Sequence, residues 1–309
     1  AWGIPRRVRR EIEAFQPHLF HLASPDLLGS AALRLARRMN VPAVATYHTH
    51  FGSYMKYFGL GFLEPATWKV MRRFYNRTRE TYVPSDSMRD LLRTKGFTCA
   101  MEVWEHGVDI QKFNPAKRSL EWRRSHGIQD DEFLVGFVGR MVWEKAISLW
   151  GDVVRKLESS GRKIRSIMIG TGPALAAMQS RLPNTIFPGY MPHETLASAF
   201  ASMDVFLYPS LSETFGCVTL EAMASGVPPV AADATGSRDI ITHEVDGFLC
   251  EPSNVEDFAN RVLQLIDDAV LHGRMRDAGL RHAAASTWER VLDQMIDHYQ
   301  QIAAEPLAA

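Results

Sequence analysis

The chain reads as an α/β protein of two domains, and three observations carry that prediction. Short apolar runs recur at 18–23, 42–47, 81–85, 101–104, 133–139, 163–169, 186–187, 205–208 and 228–232. Most of their residues are apolar, as in strands buried in a parallel sheet. Most are followed by a segment of helical spacing or composition, so strand, loop and helix alternate. A length of 309 residues suffices for two domains of ordinary size, each with its own core.

In chain order, 18–23 is a strand, and 26–39 carries apolar residues at helical spacing with arginines on its other face. The strand at 42–47 delivers His48-Thr49-His50 at its carboxyl end, where open α/β sheets bind ligands. A stretch rich in Phe and Tyr (51–63) follows, and then an aromatic and basic helix at 64–79. Core packing and contact with a lipid interface both account for the aromatic stretch. A strand ends near Ser85, a helix start, and another at 101–104 runs into His106-Gly107-Val108-Asp109. The polar segment 115–124 reads as the interdomain linker, which places the domains at 1–115 and 116–286. In the second domain the strand at 133–139 leads to Arg140 and Lys145, cations able to neutralise a diphosphate. Strands or turns at 163–169 and 186–191 and a helix at 194–202 precede the strand 205–208. Beyond it come a strand at 228–232, turns at 234–240 and 246–249, and helices at 254–266, 270–285 and 288–302.

Composition narrows the function. No apolar run approaches the roughly 18 residues of a membrane span. The first residues lack the apolar core of a signal peptide, and three scattered cysteines suit free thiols in a reducing cytoplasm. Net charge is zero, and no nucleic-acid partner is expected. Its distribution is uneven: residues 1–115 hold 17 Lys and Arg against 10 Asp and Glu, the remainder 18 against 25. A basic half suits an anionic acceptor or an anionic membrane surface, or is simply a set of solvated helix faces.

The stretch after the strand 205–208 concentrates the chemistry. Gly216 frees the backbone for a tight helix entry, and 218–224 has helical composition. Such an entry offers unpaired N–H groups to phosphate. Glu213 lies before the helix and Glu221 inside it, so carboxylates flank both sides of a bound phosphate, as a nucleotide sugar requires. Taken alone, the same residues fit any α/β protein, with Glu221 on a solvated face.

The order Glu213, Thr214-Phe215-Gly216-Cys217-Val218, Glu221 resembles the E-x7-E motif of the retaining family 4 glycosyltransferases with the GT-B fold. Gly139-Arg140 with Lys145 matches their GR-x4-K pattern, with Ala146 where glycine is frequent; Tyr47-His48-Thr49 and His106-Gly107-Val108-Asp109 match two more, with His106 at an unusual identity. The likeness includes the subset holding sulfoquinovosyl-diacylglycerol synthases and lipid-directed mannosyl- and glucosyltransferases. It implies two Rossmann-like domains facing a cleft, with residues 287–309 crossing back to the first. It also implies further β-α units ahead of residue 18, so the first domain is expected to be incomplete at its N-terminus and unstable in isolation.

The resemblance assigns roles by position. Arg140 and Lys145 hold the donor diphosphate at Gly139, Glu213 contacts sugar hydroxyls, and the backbone from Thr214 to Val218 supports sugar and phosphate. Glu221 binds the ribose, and Tyr190 and Met191 lie at the turn that meets the nucleobase. His48 lies near the reacting carbon, with His50 secondary. No metal and no cofactor are implied, the nucleotide diphosphate sugar being a co-substrate. The acceptor is a lipid or saccharide, and the expected location is cytoplasmic or peripheral at the inner membrane surface. A non-catalytic nucleotide-sugar-binding protein and a GT-B epimerase are the rival readings.

Overall fold

The apolar runs assemble into two separate parallel sheets. The computed structural model describes residues 3–48 and 61–305. It divides into two compact units, one of residues up to Glu105 together with those from Glu289 onward, the other His106–Trp288.

The first unit opens with α1 (Arg6–Phe15), followed by β1 (Phe20–Leu22), α2 (Leu27–Met39) and β2 (Ala43–Thr46). After the undescribed segment come α3 (Glu64–Tyr75), β3 (Glu80–Val83), α4 (Asp86–Thr94) and β4 (Ala100–Val103). The strands lie in the order β1-β2-β3-β4. Local chemistry fixes the ends of these elements. Asp26 caps α2 by accepting the Gly29 N–H at 2.7 Å, and Ser85 caps α4 by accepting that of Met88 at 3.3 Å. Helix α2 buries Leu33 and Ala36, and α3 buries Trp68, Met71, Phe74 and Tyr75, against strand residues Leu22, Ala43, Ala45 and Val83. Helix α1 has no buried residue, so it carries no core periodicity from which the sequence could have announced it.

In the second unit α5 (Leu120–Ser125) precedes β5 (Phe133–Val138), α6 (Ile147–Glu158), β6 (Ile164–Ile169), α7 (Leu175–Arg181) and β7 (Ile186–Gly189). Then α8 (His193–Ser202), β8 (Val205–Tyr208), α9 (Cys217–Ala224), β9 (Pro229–Ala232), α10 (Ser237–Ile240) and β10 (Phe248–Cys250) follow, with α11 (Val255–Asp267) and α12 (Ala269–Ala285) last. The sheet order is β10-β9-β8-β5-β6-β7. The chain therefore builds outward from β5 in one direction, then returns to its other side with β8. The junction of β5 and β8 is the topological switch point, outside whose carboxyl ends such sheets leave a crevice. Strand β10, read from the sequence as a turn, pairs with β9 through Phe248 opposite Val230.

The boundary between units differs from the expected linker. Residues 106–125 belong to the second unit because they are part of its interior: Val108 and Phe113 lie in its core. Arg118 bonds the Met203 carbonyl at 3.0 Å and the Asp204 carboxylate at 2.7 Å. Arg123, 1% exposed, bonds the Ser202 carbonyl at 2.8 Å and Asp204 at 3.1 Å. Arg123, which reads as part of a solvated linker, is a buried brace between α5 and the end of α8, and the exposed Arg118 joins the same carboxylate.

The last helix, α13 (Trp288–Ala304), groups from Glu289 onward with the first unit. There Tyr299 and Ile302 pack against Val44 and Tyr82, and the Trp104 indole N–H donates to the Val291 carbonyl at 3.2 Å. Among the described residues no helix is long and apolar enough to cross a membrane.

Candidate functional site

Two loops leave the switch point. The loop after β5 carries Gly139 and Arg140 and ends in a 3₁₀ turn, Trp143–Lys145, which closes on Ala146 in the left-handed region (φ 51°) before α6. The loop after β8 carries Ser210 and Glu213 and ends at Gly216, which has a φ of 109° and starts α9 without a side-chain cap. The two loops meet at Glu213. Its Oε1 accepts from Lys145 Nζ at 2.5 Å, from Ser210 Oγ at 2.5 Å and from the Tyr208 hydroxyl at 2.9 Å. Glu213 is 8% exposed, so an unpaired carboxylate there would be costly; one cation and two hydroxyls hold it. Its Oε2 has no hydrogen-bond partner among the described residues. The Tyr208 hydroxyl is held well above its ordinary pKa by burial and by Glu213.

The loop is pressed from below by Gly236, at φ 84°. A Cβ there would stand 2.6 Å from Glu213 Cβ and 2.6 Å from the Phe215 carbonyl oxygen, so a larger residue must push the Glu213 loop aside. From another side the His106 ring stacks on Phe215 with centroids 5.1 Å apart and packs edge-on against Trp288 at 5.9 Å. The unusual His106 thus has a definite structural position.

Of the other donor-side candidates, Arg140 is exposed and shares with Gly139, Thr171, Tyr190, Met191 and His193 the wall of a cavity of about 440 Å³. Thr214 is half-buried and Phe215 buried, and Cys217 and Val218 form the first turn of α9. Glu221, one turn farther in, is half-buried; desolvation pushes its carboxyl up to about 7, with Lys112 opposing the shift. Desolvation and the Glu221 carboxylate push the Cys217 thiol up to about 11, leaving it neutral near pH 7. Glu221 joins neither the Lys145–Glu213 pair nor the cavity wall.

His48 belongs to the first unit, at the end of β2. Its ring lies edge-on to Trp104 at 6.4 Å, and desolvation lowers its pKa. Nearby, His21 contacts Thr46 Oγ1 and the Tyr299 hydroxyl through its two ring nitrogens. The secondary candidate His50 and the aromatic residues 51–60 lie outside the described residues. Among the described residues no group of three or more His, Cys, Asp or Glu side chains is arranged to hold a metal ion.

Sequence reasoning missed Tyr208 and Ser210, the hydroxyls on Glu213, and His193 in the cavity wall. The signal for the first two was positional: Tyr208 is the last residue of β8, and Ser210 stands three before Glu213.

Comparison with known proteins places the chain in a family. The family model described as Glycosyl transferases group 1 matches residues 119–282, and the one described as Glycosyltransferase Family 4 matches residues 1–112. The chain is 33% identical over 304 residues to a GDP-mannose-dependent alpha-mannosyltransferase of Corynebacterium glutamicum, spanning 98% of this chain and 72% of that protein. It is 37% identical over 271 residues to the sulfoquinovosyl transferase SQD2 of Arabidopsis thaliana, spanning 85% of this chain and 52% of that one. Among solved structures, HepE of Anabaena in complex with UDP and glucose has the same fold, with a TM-score of 0.79 at 18% identity over 95% of this chain and 81% of that one.

Proposed function

Since the chain belongs to the family 4 glycosyltransferases of GT-B fold and is a nucleotide-sugar-dependent transferase, we propose that it is a retaining hexosyltransferase. It transfers a hexose from a GDP- or UDP-linked donor to a hydroxyl of a glycolipid or polysaccharide precursor, working at the cytoplasmic membrane surface. GDP-mannose is the first donor to test, because the Corynebacterium relative is named for it.

The observation that carries the reading is the cluster of Lys145, Glu213, Tyr208 and Ser210 beside the uncapped start of α9. A diphosphate placed there meets N–H groups at the positive end of a helix and the cations Lys145 and Arg140. Fixed positive charge stabilises the leaving group as its bond to the sugar breaks, more strongly than it stabilises the intact donor. Glu213, held through one oxygen, turns the other to sugar hydroxyls. Glu221 accepts from the ribose, and Tyr190 and Met191 receive the base. The acceptor hydroxyl attacks from the face the diphosphate leaves, and the departing phosphate oxygen takes its proton. His48 steadies the reacting carbon. The two cations take the part a divalent metal plays elsewhere.

Titration calorimetry with GDP-mannose and UDP-glucose tests donor binding. Transfer to a lipid acceptor, with the product anomer assigned by NMR, tests the reaction: a product of the donor's own anomeric configuration supports retention, and an inverted one removes it. Binding without turnover would make the protein a nucleotide-sugar-binding module.

A further inference from the structure

Between α2 and α3 the first unit carries two adjoining hollows that share Val70. The first, about 390 Å³, is walled by Pro25, Leu63, Ala66, Val70 and Met71. Exposed apolar side chains continue it: Leu27 is 63% exposed, Leu28 58% and Val70 61%. Its one carboxylate, Asp26, is engaged as the cap of α2. The second hollow, about 350 Å³, is lined by Arg34, Arg37, Arg73 and Arg77 and by no carboxylate. None of these four arginines is ion-paired among the described residues, and all four are exposed.

Water-exposed leucine and valine beside an apolar pit are unfavourable in a soluble surface unless something covers them. Four like charges beside them repel one another unless an anion joins them. One occupant satisfies both halves at once: a layer whose inner part is hydrocarbon and whose outer part is phosphodiester. Arginine binds phosphodiester oxygens through paired N–H groups, and leucine and valine enter the boundary between head groups and acyl chains. We propose that this α2–α3 face is where the protein docks on an anionic phospholipid bilayer. The inference takes from the proposed function only the reason for docking; the binding itself stands apart from donor chemistry.

Co-sedimentation of the full chain with vesicles tests it. The protein is expected to pellet with equal parts phosphatidylglycerol and phosphatidylcholine, and to stay in solution with phosphatidylcholine alone. Arg73→Ala with Arg77→Ala should lower vesicle partitioning by about tenfold or more, since each basic residue near an anionic leaflet contributes roughly fivefold. Leu27→Ser, Leu28→Ser and Val70→Ser together should lower it by a comparable factor. Both variants should keep wild-type circular dichroism and donor affinity, because the altered side chains lie on the surface. Failure of the wild type to pellet with the mixed vesicles overturns the proposal, as does pelleting that either variant retains in full. Heparin binding lost only with the arginines, together with vesicle binding indifferent to the apolar substitutions, overturns it in favour of a soluble polyanion. Loss of donor binding with intact vesicle binding would count against the proposed function alone.

Discussion

The two units share an architecture of parallel strands and covering helices, but they place their polar groups differently. In the second unit two polar clusters converge, Glu213 with Lys145, Tyr208 and Ser210 at the carboxyl ends of the strands and Asp204 with Arg118 and the buried Arg123 at the opposite ends. Elsewhere in its interior Trp150 Nε1 and Thr219 Oγ1 have no hydrogen-bond partner among the described residues. In the first unit the Tyr47 and Tyr82 hydroxyls are buried without a hydrogen-bond partner among the described residues, while its unmatched arginines line the outside. A matched interior network fixes geometry, which donor chemistry demands; a charged exterior governs where a protein settles. The Glu213 cluster is therefore expected to be intolerant of single-atom changes, and the Tyr47 and Tyr82 hydroxyls to be dispensable.

The sharpest break in that contrast is Lys145→Ala. Losing a preorganised cation should lower kcat by roughly a hundred- to a thousandfold, measured by transfer at saturating donor, with circular dichroism unchanged. Gly236→Ala comes next. Its methyl must displace the Glu213 loop, and overpacking of this kind costs about 1–3 kcal/mol, so the melting temperature should fall and the donor KM rise together. A fold and KM equal to wild type would show that the loop is not held from below.

Glu221 gives a pH test. Its folded pKa, about 7, lies above that of an unfolded glutamate, so stability from this group falls as pH rises from about 4.5 through 7. Donor affinity should move the opposite way, because the ionised carboxylate is the better acceptor for ribose hydroxyls. The donor KM is expected to drop severalfold as pH passes upward through 7, and Glu221→Gln should flatten that dependence. The smallest effects are predicted for a pair of substitutions, one in each unit. Ala146→Gly relieves a left-handed alanine and should add about 1 kcal/mol of stability. Tyr47→Phe, which removes a buried hydroxyl without a partner, should leave stability within about 1 kcal/mol or raise it. A loss of several kcal/mol at Tyr47 would mean that its hydroxyl is held as exactingly as the Glu213 cluster.

Much of the site was legible in the sequence because its chemistry rides on strand ends. An apolar run announces β5 or β8, and whatever polar residue follows must sit at the sheet's carboxyl edge, as Arg140 and Glu213 do. Packing between distant segments left no such mark. His106 stacks on a residue more than 100 positions away, Gly236 supports a loop that precedes it by a whole strand, and the Arg123 brace has the composition of a solvated linker. Strand β10 escaped because three residues beside a glycine turn have too little length to show a pattern. The helix Ile147–Glu158 has six buried positions at helical spacing, but one of them is Gly151, which weakens the local helix signal.

Lys145 and Glu213 are in direct contact, so under the proposed function the group assigned to the diphosphate is joined to the group assigned to the sugar. A diphosphate that draws Lys145 toward itself weakens the cation's hold on Glu213 and leaves that carboxylate more basic toward a sugar hydroxyl. A nucleoside diphosphate and a free hexose should then assist one another's binding, and by thermodynamic reciprocity to the same degree. The protein would sense a whole donor as more than the sum of its halves, and after transfer the product nucleotide, parted from its sugar, would be held less tightly and released.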